Sequence, residues 1–475
     1  MWSEVNPTVE DGNLGRNSST GTKAQVKIGV SSVESSVPIL ITNTMKPDKI
    51  KEKLGCTPLA DACIDAAENG LKTIYAFPMK ADIKGTVSEV THTGSGAGAF
   101  GVKGEPVNDF TMVVEITGTG DTNDGSFRYS IDGGNNYSDD ITIPLSGKYE
   151  SLETGITFEF EDTAEDTKSF VEGDVYSFRT TTPTMSNSSV LKAVEKLQSF
   201  NKEAEVCHIV GTSTKTLWAA LQTMADELME IYKKPILFLC EARACGDDET
   251  LDEYLKAMEE ERKGISSLYV CVCASYGIYV RKDLRTQLIN MAGVISGIIG
   301  QAKESLSIGN VENFPVSSAK LLKLLPEGIS DGYDTELDAM GYTVIRQYAG
   351  KEDFYIANGN VMAPSGSDFP YVESVRVLNR IVRQVCMAAT DMIQCEVDPN
   401  DLEGSLAPIQ AHLNIPMEDC IRDKVISSGE VTVSTENLNI LADETLDVSV
   451  EWVPMGTART FHIGFRVNNP ARTSN

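Results

Sequence analysis

An α/β rhythm that stops and later restarts constrains this chain more than any other feature. "KAQVKIGVSS", "VPILITN" and "LKTIYAFPM" read as strands, with helical patterns over Asp48–Leu54 and Pro58–Asn69 between the last two. Pro47 and Pro58 suit first helical positions, where a missing N–H is no loss. From about Lys80 to Thr184 the text changes to short alternating runs such as "DFTMVVEITG", "SFRYSIDGG" and "GITFEFED", separated by turn residues. Period-two alternation between Gly, Asn and Asp clusters predicts an all-β module. At Ser186 the α/β pattern resumes with "SVLKAVEKLQSF", "AEVCHIVG", "KTLWAALQTMADELMEIYKK", "PILFLCEA", "LDEYLKAMEEERKG" and "SLYVCVCAS". An interrupted layer of this kind is an insertion at an exposed loop.

The apolar strand runs suit a mostly parallel sheet covered on both faces. "LRTQLINMAGVISGIIGQAK" reads as one further buried helix, too short and too broken by Gly to span a membrane. Beyond it come short strands over Tyr342–Asp368 and helical patterns at Tyr371–Ile393 and Leu402–Ile426. "GEVTVSTEN" follows, and then two runs, Leu446–Val453 and Thr460–Val467. Val448, Val450 and Trp452 alternate in the first run, Phe461, Ile463 and Phe465 in the second, with "PMGTA" as a plausible turn. A terminal β-hairpin is therefore expected.

The division is an extended arm at 1–25, an α/β layer of 26–80 and 186–340, an inserted β-sandwich-like module at 81–185, an α+β block at 341–445, and a C-terminal arm at 446–475. The fold class is thus an α/β core with a mixed, mostly parallel sheet, an inserted all-β domain and an α+β C-terminal domain.

Chemistry is hard to find. The formal net charge of −28 speaks against nucleic-acid phosphates and anionic lipid as partners. The first residues carry no apolar leader segment. Ten cysteines include no CxxC pair, the four histidines are scattered, and most cysteines sit in apolar runs as small hydrophobes. "IVGTSTKTLW" follows a strand and opens a helix but lacks the second glycine of a phosphate loop. "GTGDTNDGS" has the wrong spacing for a calcium loop. His208 stands in an apolar strand beside Cys207, and strand neighbours point to opposite faces. No catalytic, cofactor or metal residues are assigned.

One charge pattern stands out. Arg376, Arg380 and Arg383 fall on one helical face at i, i+4 and i+7, opposite Val375, Leu378 and Val382. In so acidic a chain this stripe is a candidate contact for an acidic partner.

The C-terminal third resembles the tail sheath proteins of contractile phages and phage-tail-like particles. "GYTVIRQYAGKEDFYIANGNVMAPSGSDFPYVESVRVLNRI" is similar to their glycine-rich strand pair leading into a helix with Arg and Asn, and "LDVSVEWVPMGTARTFHIGFRV" to their closing strand pair. "VEDGNLG" resembles the N-terminal arm of a divergent sheath family, and "GSFRYSIDGGNNYSDDITIP" the modules that decorate phage tail proteins.

The resemblance implies a non-enzymatic subunit of a virion tail or tail-like particle, assembled in the bacterial host cytoplasm. It would polymerise with itself as a helical stack of six-subunit rings around an inner tail tube, meet baseplate and tail terminator proteins, and contract to drive the tube through a cell envelope. It implies strand exchange between subunits through Val448, Val450, Trp452, Phe461, Ile463 and Phe465. The Arg376, Arg380 and Arg383 stripe would touch the tube or a neighbour, and the β module would lie outside. No cofactor, nucleic acid or membrane insertion is implied. The alternatives are another phage tail or baseplate component, or an α/β enzyme with a β insertion, which needs a polar cluster at the carboxyl ends of the parallel strands.

Overall fold

Strands that are apolar on both faces must be roofed on both sides, and the first strand sets the pattern. The computed structural model describes residues 23–163, 168–435 and 438–467. The expected arm at 1–25 thus falls almost wholly outside the described residues. Every residue of β1 (Gln25–Val30) is buried. After it come β2 (Ile39–Thr42), α1 (Pro47–Leu54), α2 (Pro58–Glu68) and β3 (Thr73–Met79), and both helices begin on their proline.

Eight strands then depart from this layer: β4 (Thr91–Thr93), β5 (Ala99–Gly104), β6 (Thr111–Gly118), β7 (Ser126–Ser130), β8 (Ile141–Thr142), β9 (Lys148–Ser151), β10 (Ile156–Glu161) and β11 (Val175–Arg179). They form two antiparallel sheets, ordered β5-β10-β9 and β4-β11-β6-β7-β8. Phe110, Phe127, Phe158, Phe160, Phe170, Tyr176 and Phe178 share a core of their own. The chain leaves and returns through a paired neck, with Ile83 against Thr184 and Val87 against Thr180.

The layer resumes with α3 (Asn187–Glu195), β12 (Val206–Thr212), α4 (Lys215–Glu230), β13 (Leu237–Glu241), α5 (Leu251–Arg262) and β14 (Val270–Cys273). The main sheet runs β14-β13-β12-β1-β3-β2, parallel throughout except at β2–β3. Val26 and Ile28 face the core that holds Val190, Val194 and Trp218. Gln25 and Lys27 face the other way, toward Ser296.

The segment expected as one long helix from Leu284 divides. β15 (Tyr276–Val280) and β16 (Thr286–Asn290) form a hairpin, and only then does α6 (Ala292–Gln301) begin. Its glycines serve close packing: a Cβ on Gly297 would stand 2.6 Å from that of Asn69 and 2.7 Å from the Ala66 carbonyl oxygen. The chain continues through β17 (Leu321–Leu325), which pairs with β15, then α7 (Tyr333–Ala339) and the pair β18 (Ile345–Gln347) and β19 (Phe354–Ile356). It ends with α8 (Val372–Asp391), α9 (Leu402–Arg422), β20 (Ile426–Val433), α10 (Ile440–Asp443) and β21 (Val448–Pro454).

The β15–β16 tip docks the inserted module. Arg281 and Arg285 meet Asp61 and Asp65 of α2, Arg285 also meets Asp283, and Lys51 joins Asp283 at 2.8 Å. Asn108, from the inserted strands, donates to Asp61 at 2.7 Å. Gln287 donates to the Asp109 carbonyl and Asn136 to that of Leu284. Burial alone would raise the Asp61 carboxyl, but the Arg281 and Arg285 charges, with bonds from Arg285 and Asn108, hold it down at about 2.

Candidate functional site

The last third of the chain is hung on the α/β body by three guanidinium groups. Arg376, 1% exposed, forks onto Glu205 and donates to the Ala302 and Lys303 carbonyls at the end of α6. Helix carboxyl ends leave such acceptors unpaired, and cations suit them. Arg380 meets Asp423 at 2.6 Å and Glu304 at 3.6 Å. Arg383 donates to the carbonyls of Ala204 and Pro235. This corrects the expectation of a contact stripe open to a partner, because the stripe faces inward. Helical period reveals a common face, while the carboxylates that bury it lie far away in sequence.

α8 and α9 together carry β20 and β21. Val377, Ile381, Leu406, Ile409, Leu413, Met417, Val431 and Val433 form the core beneath, with Val450 and Trp452 packed against it. β20 pairs antiparallel with β21, Val431 opposite Val450. Two strands make a marginal sheet, and each edge offers unpaired N–H and C=O groups.

One edge is sealed. Asn414 of α9 accepts from Val431 N–H at 2.8 Å and donates to its carbonyl at 2.9 Å, and Gln410 accepts from Val433 N–H at 3.3 Å. Those groups therefore point away from β21. By antiparallel alternation, the facing residues Val448, Val450 and Trp452 point their own N–H and C=O groups away from β20. Among the described residues these groups have no partner, so the β21 edge is open. Beside it, between β21 and the start of α8, lies a groove of about 760 Å³ lined by Phe369, Tyr371, Val377, Trp452 and Met455.

The expected terminal hairpin does not form among the described residues. β21 takes β20 as its partner, and Thr460–Val467 carries no strand. Arg459 stands just before this segment. Its guanidinium donates to Asn358 at 2.6 Å and to Glu373, and lies 3.5 Å over the Tyr371 ring. The five residues Met455–Arg459 thus lead from β21 to the start of α8. Past this point Phe461, Ile463 and Phe465 are 78%, 71% and 91% exposed. Of the residues expected to act in assembly, Val448, Val450 and Trp452 thus line an open edge, and the three on the second run stand in solvent. Asn414, Gln410 and Arg459 were not legible as parts of this site, since each acts on strand groups or side chains distant in sequence.

The sequence also concealed a polar cluster in the main sheet. Lys27 Nζ lies 2.8 Å from His208 Nδ1 and 2.8 Å from Ser296 Oγ, and His208 Nε2 lies 2.9 Å from Glu241. Lys27, His208 and Ser296 are fully buried. Neutral imidazole bridging a lysine cation and a carboxylate satisfies all three groups. The β21 groove is not lined by Lys27, His208 or Glu241. Among the described residues no group of three His, Cys, Asp or Glu side chains could hold a metal ion, and no helix is long and apolar enough to cross a membrane.

Burial, helped by the Lys27 charge, pushes His208 down from 6.5 to about 4. The unfolded chain therefore binds a proton over this interval that the native protein refuses. Stability is full above 6.5 and falls as pH drops toward 4. By pH 4.5 the expected loss from this residue is about 2–3 kcal/mol. In His208→Gln the difference between urea midpoints at pH 7 and pH 4.5 should shrink accordingly.

The profile of the DUF2586 N-terminal domain matches residues 2–360, and that of the DUF2586 C-terminal domain matches residues 368–472. No curated protein matches the chain. Solved structures that share its fold include the following three. A sheath tail protein from Desulfitobacterium hafniense aligns with a TM-score of 0.50 at 12% identity, over 96% of this chain and 100% of that one. The sheath of the extracellular contractile injection system PVC, in its contracted state, aligns with a TM-score of 0.54 at 11% identity, over 99% of both chains. The helical sheath of the anti-feeding prophage, also contracted, aligns with a TM-score of 0.54 at 10% identity, over 98% of this chain and 100% of that one. With nearly its whole length matched by the two profiles, and with the fold of these sheath proteins, the chain belongs to the DUF2586 family.

Proposed function

We propose that this protein is the structural subunit of a contractile tail sheath. Copies of it polymerise around an inner tube as stacked rings, and contraction of the stack drives the tube through a cell envelope. The observation that carries this reading is the pairing of an open edge at β21 with an apolar segment, Thr460–Val467, that stands exposed to solvent. Strand addition between copies joins them by backbone hydrogen bonds while the rigid bodies remain free to repack. The fold shared with contracted sheaths supports the same reading.

In this reading residues 26–80 and 186–340 form the rigid α/β body, 81–185 an inserted domain on the outer surface, and 341–445 with the arm at 446–475 the joining unit. The role is structural rather than enzymatic. The partners are further copies, the tube, and the baseplate and terminator proteins of a virion or phage-tail-like particle. The Lys27–His208–Glu241 cluster serves the sheet, inside which Lys27 and His208 are fully buried.

Negative-stain electron microscopy of the full chain and of a chain lacking residues 460–475 tests the proposal. Tubular or ring-stacked polymers are expected from the first only, with an unchanged thermal midpoint for the shortened monomer. Polymers that survive the truncation would remove strand exchange through this arm.

A further inference from the structure

Met455–Arg459 is long enough to close a hairpin, since loops of two to five residues commonly do so. An arm tethered next to its own acceptor edge also pairs at the high effective concentration of an intramolecular reaction. Left alone, Thr460–Val467 would cap its own β21. A charge-assisted bond to Glu373, a second bond to Asn358 and the Tyr371 ring face hold Arg459 away from that path. Glu373 is itself 6% exposed, and the Arg459 side chain, on an exposed residue, is 24% exposed where it meets it.

We propose that Arg459 is a clamp that keeps the C-terminal arm off its own β21, so that this edge receives the arm of a second copy. The inference rests on the sheath reading and adds what prevents each subunit from satisfying itself.

The occupant follows from charge. Glu430 and Glu451 stand directly opposite each other across β20 and β21, both exposed. Like charges so placed repel. The arm alternates Phe461, Ile463 and Phe465 with His462 and Arg466. Laid along β21 with its apolar side toward the groove, it brings a cation to the face that carries the two glutamates. Residues 1–15 hold Glu4, Glu10 and Asp11 and no Lys or Arg, which would worsen the repulsion.

The test uses full-length Arg459→Ala and, as a milder lesion, Asn358→Ala. Amide exchange is read on the unpolymerised subunit and polymer yield by electron microscopy. Released arms should fold back. Protection at the Val448, Val450 and Trp452 amides should rise at least tenfold in Arg459→Ala, and polymer yield should fall by a similar factor. Asn358→Ala should lie between, and it decides the matter if Arg459→Ala does not fold. Deleting residues 460–475 from Arg459→Ala should erase the added protection. Normal polymerisation with unchanged exchange in the variants overturns the clamp, as does lost polymer without added protection. If the truncation alone blocks assembly while Arg459→Ala assembles normally, strand exchange stands and only the clamp falls. If the truncated chain polymerises normally, the exchange reading itself fails. Loss of polymer on deleting residues 1–15 instead would assign the edge to the N-terminal segment.

Discussion

Glu205→Ala is expected to cost about 3–5 kcal/mol, because it strands a guanidinium in the core. Arg376 is 1% exposed and Glu205 3%. Without the carboxylate, Arg376 keeps its bonds to the carbonyls of Ala302 and Lys303 and only the weaker pull of the Glu304 and Glu373 charges. Its desolvation is then no longer offset. The loss should appear as a lower denaturant midpoint for the transition that reports on α8, and as faster amide exchange through that helix. Replacing both partners by apolar residues, Glu205→Leu with Arg376→Met, should recover much of it, since a filled apolar site no longer holds an unpaired charge. A double-mutant cycle on the pair separates the coupling from the packing.

Asp61→Ala is the second large effect, of about 3–5 kcal/mol by the same reasoning. Asp61 is shared by Arg281, Arg285 and Asn108. Its removal leaves two adjacent guanidinium groups with Asp65 and Asp283 alone, and it cuts a bond to the inserted module. Limited proteolysis should then cleave faster at the neck around residues 80–86 and 180–186. Acid should act differently here than at His208. The Asp61 carboxyl is held below its ordinary 3.8, at about 2, so its contribution is complete above 3.8 and is lost as pH falls through about 2. Mild acid should therefore weaken the main sheet through His208 while the module stays docked. Amide exchange at pH 4.5 would show the order.

The layered core was legible because it is written in local pattern. β1, β3, β12, β13 and β14 are apolar runs, the inserted strands alternate, and the prolines of α1 and α2 mark their starts. Two of the errors come from a partner distant in sequence, and the others from a strand pairing that the local pattern does not mark. "LRTQLIN" runs without a break into an apolar helix, and only pairing with β15 makes it a strand. The arginine face of α8 looked like a surface because Glu205 lies 171 residues away. Lys27 and His208 are 181 residues apart and meet only when β1 and β12 lie side by side. The terminal runs read as a hairpin because they are neighbours in the chain. The preceding strand, β20, takes β21 instead, and Arg459 lies against Asn358, Glu373 and Tyr371.

The position of β1 has a mechanical meaning. It is the first strand after residues 1–24, and it lies inside the sheet with parallel neighbours on both sides, β12 and β3. Tension drawn through the N-terminal segment enters along the strand axis. It loads the hydrogen bonds of both ladders together, in shear, instead of peeling them one at a time. The inserted module meets the body both at its paired neck and at the β15–β16 tip, and not through either ladder of β1. In the sheath reading, a pull on the N-terminal segment would thus be resisted by two ladders at once.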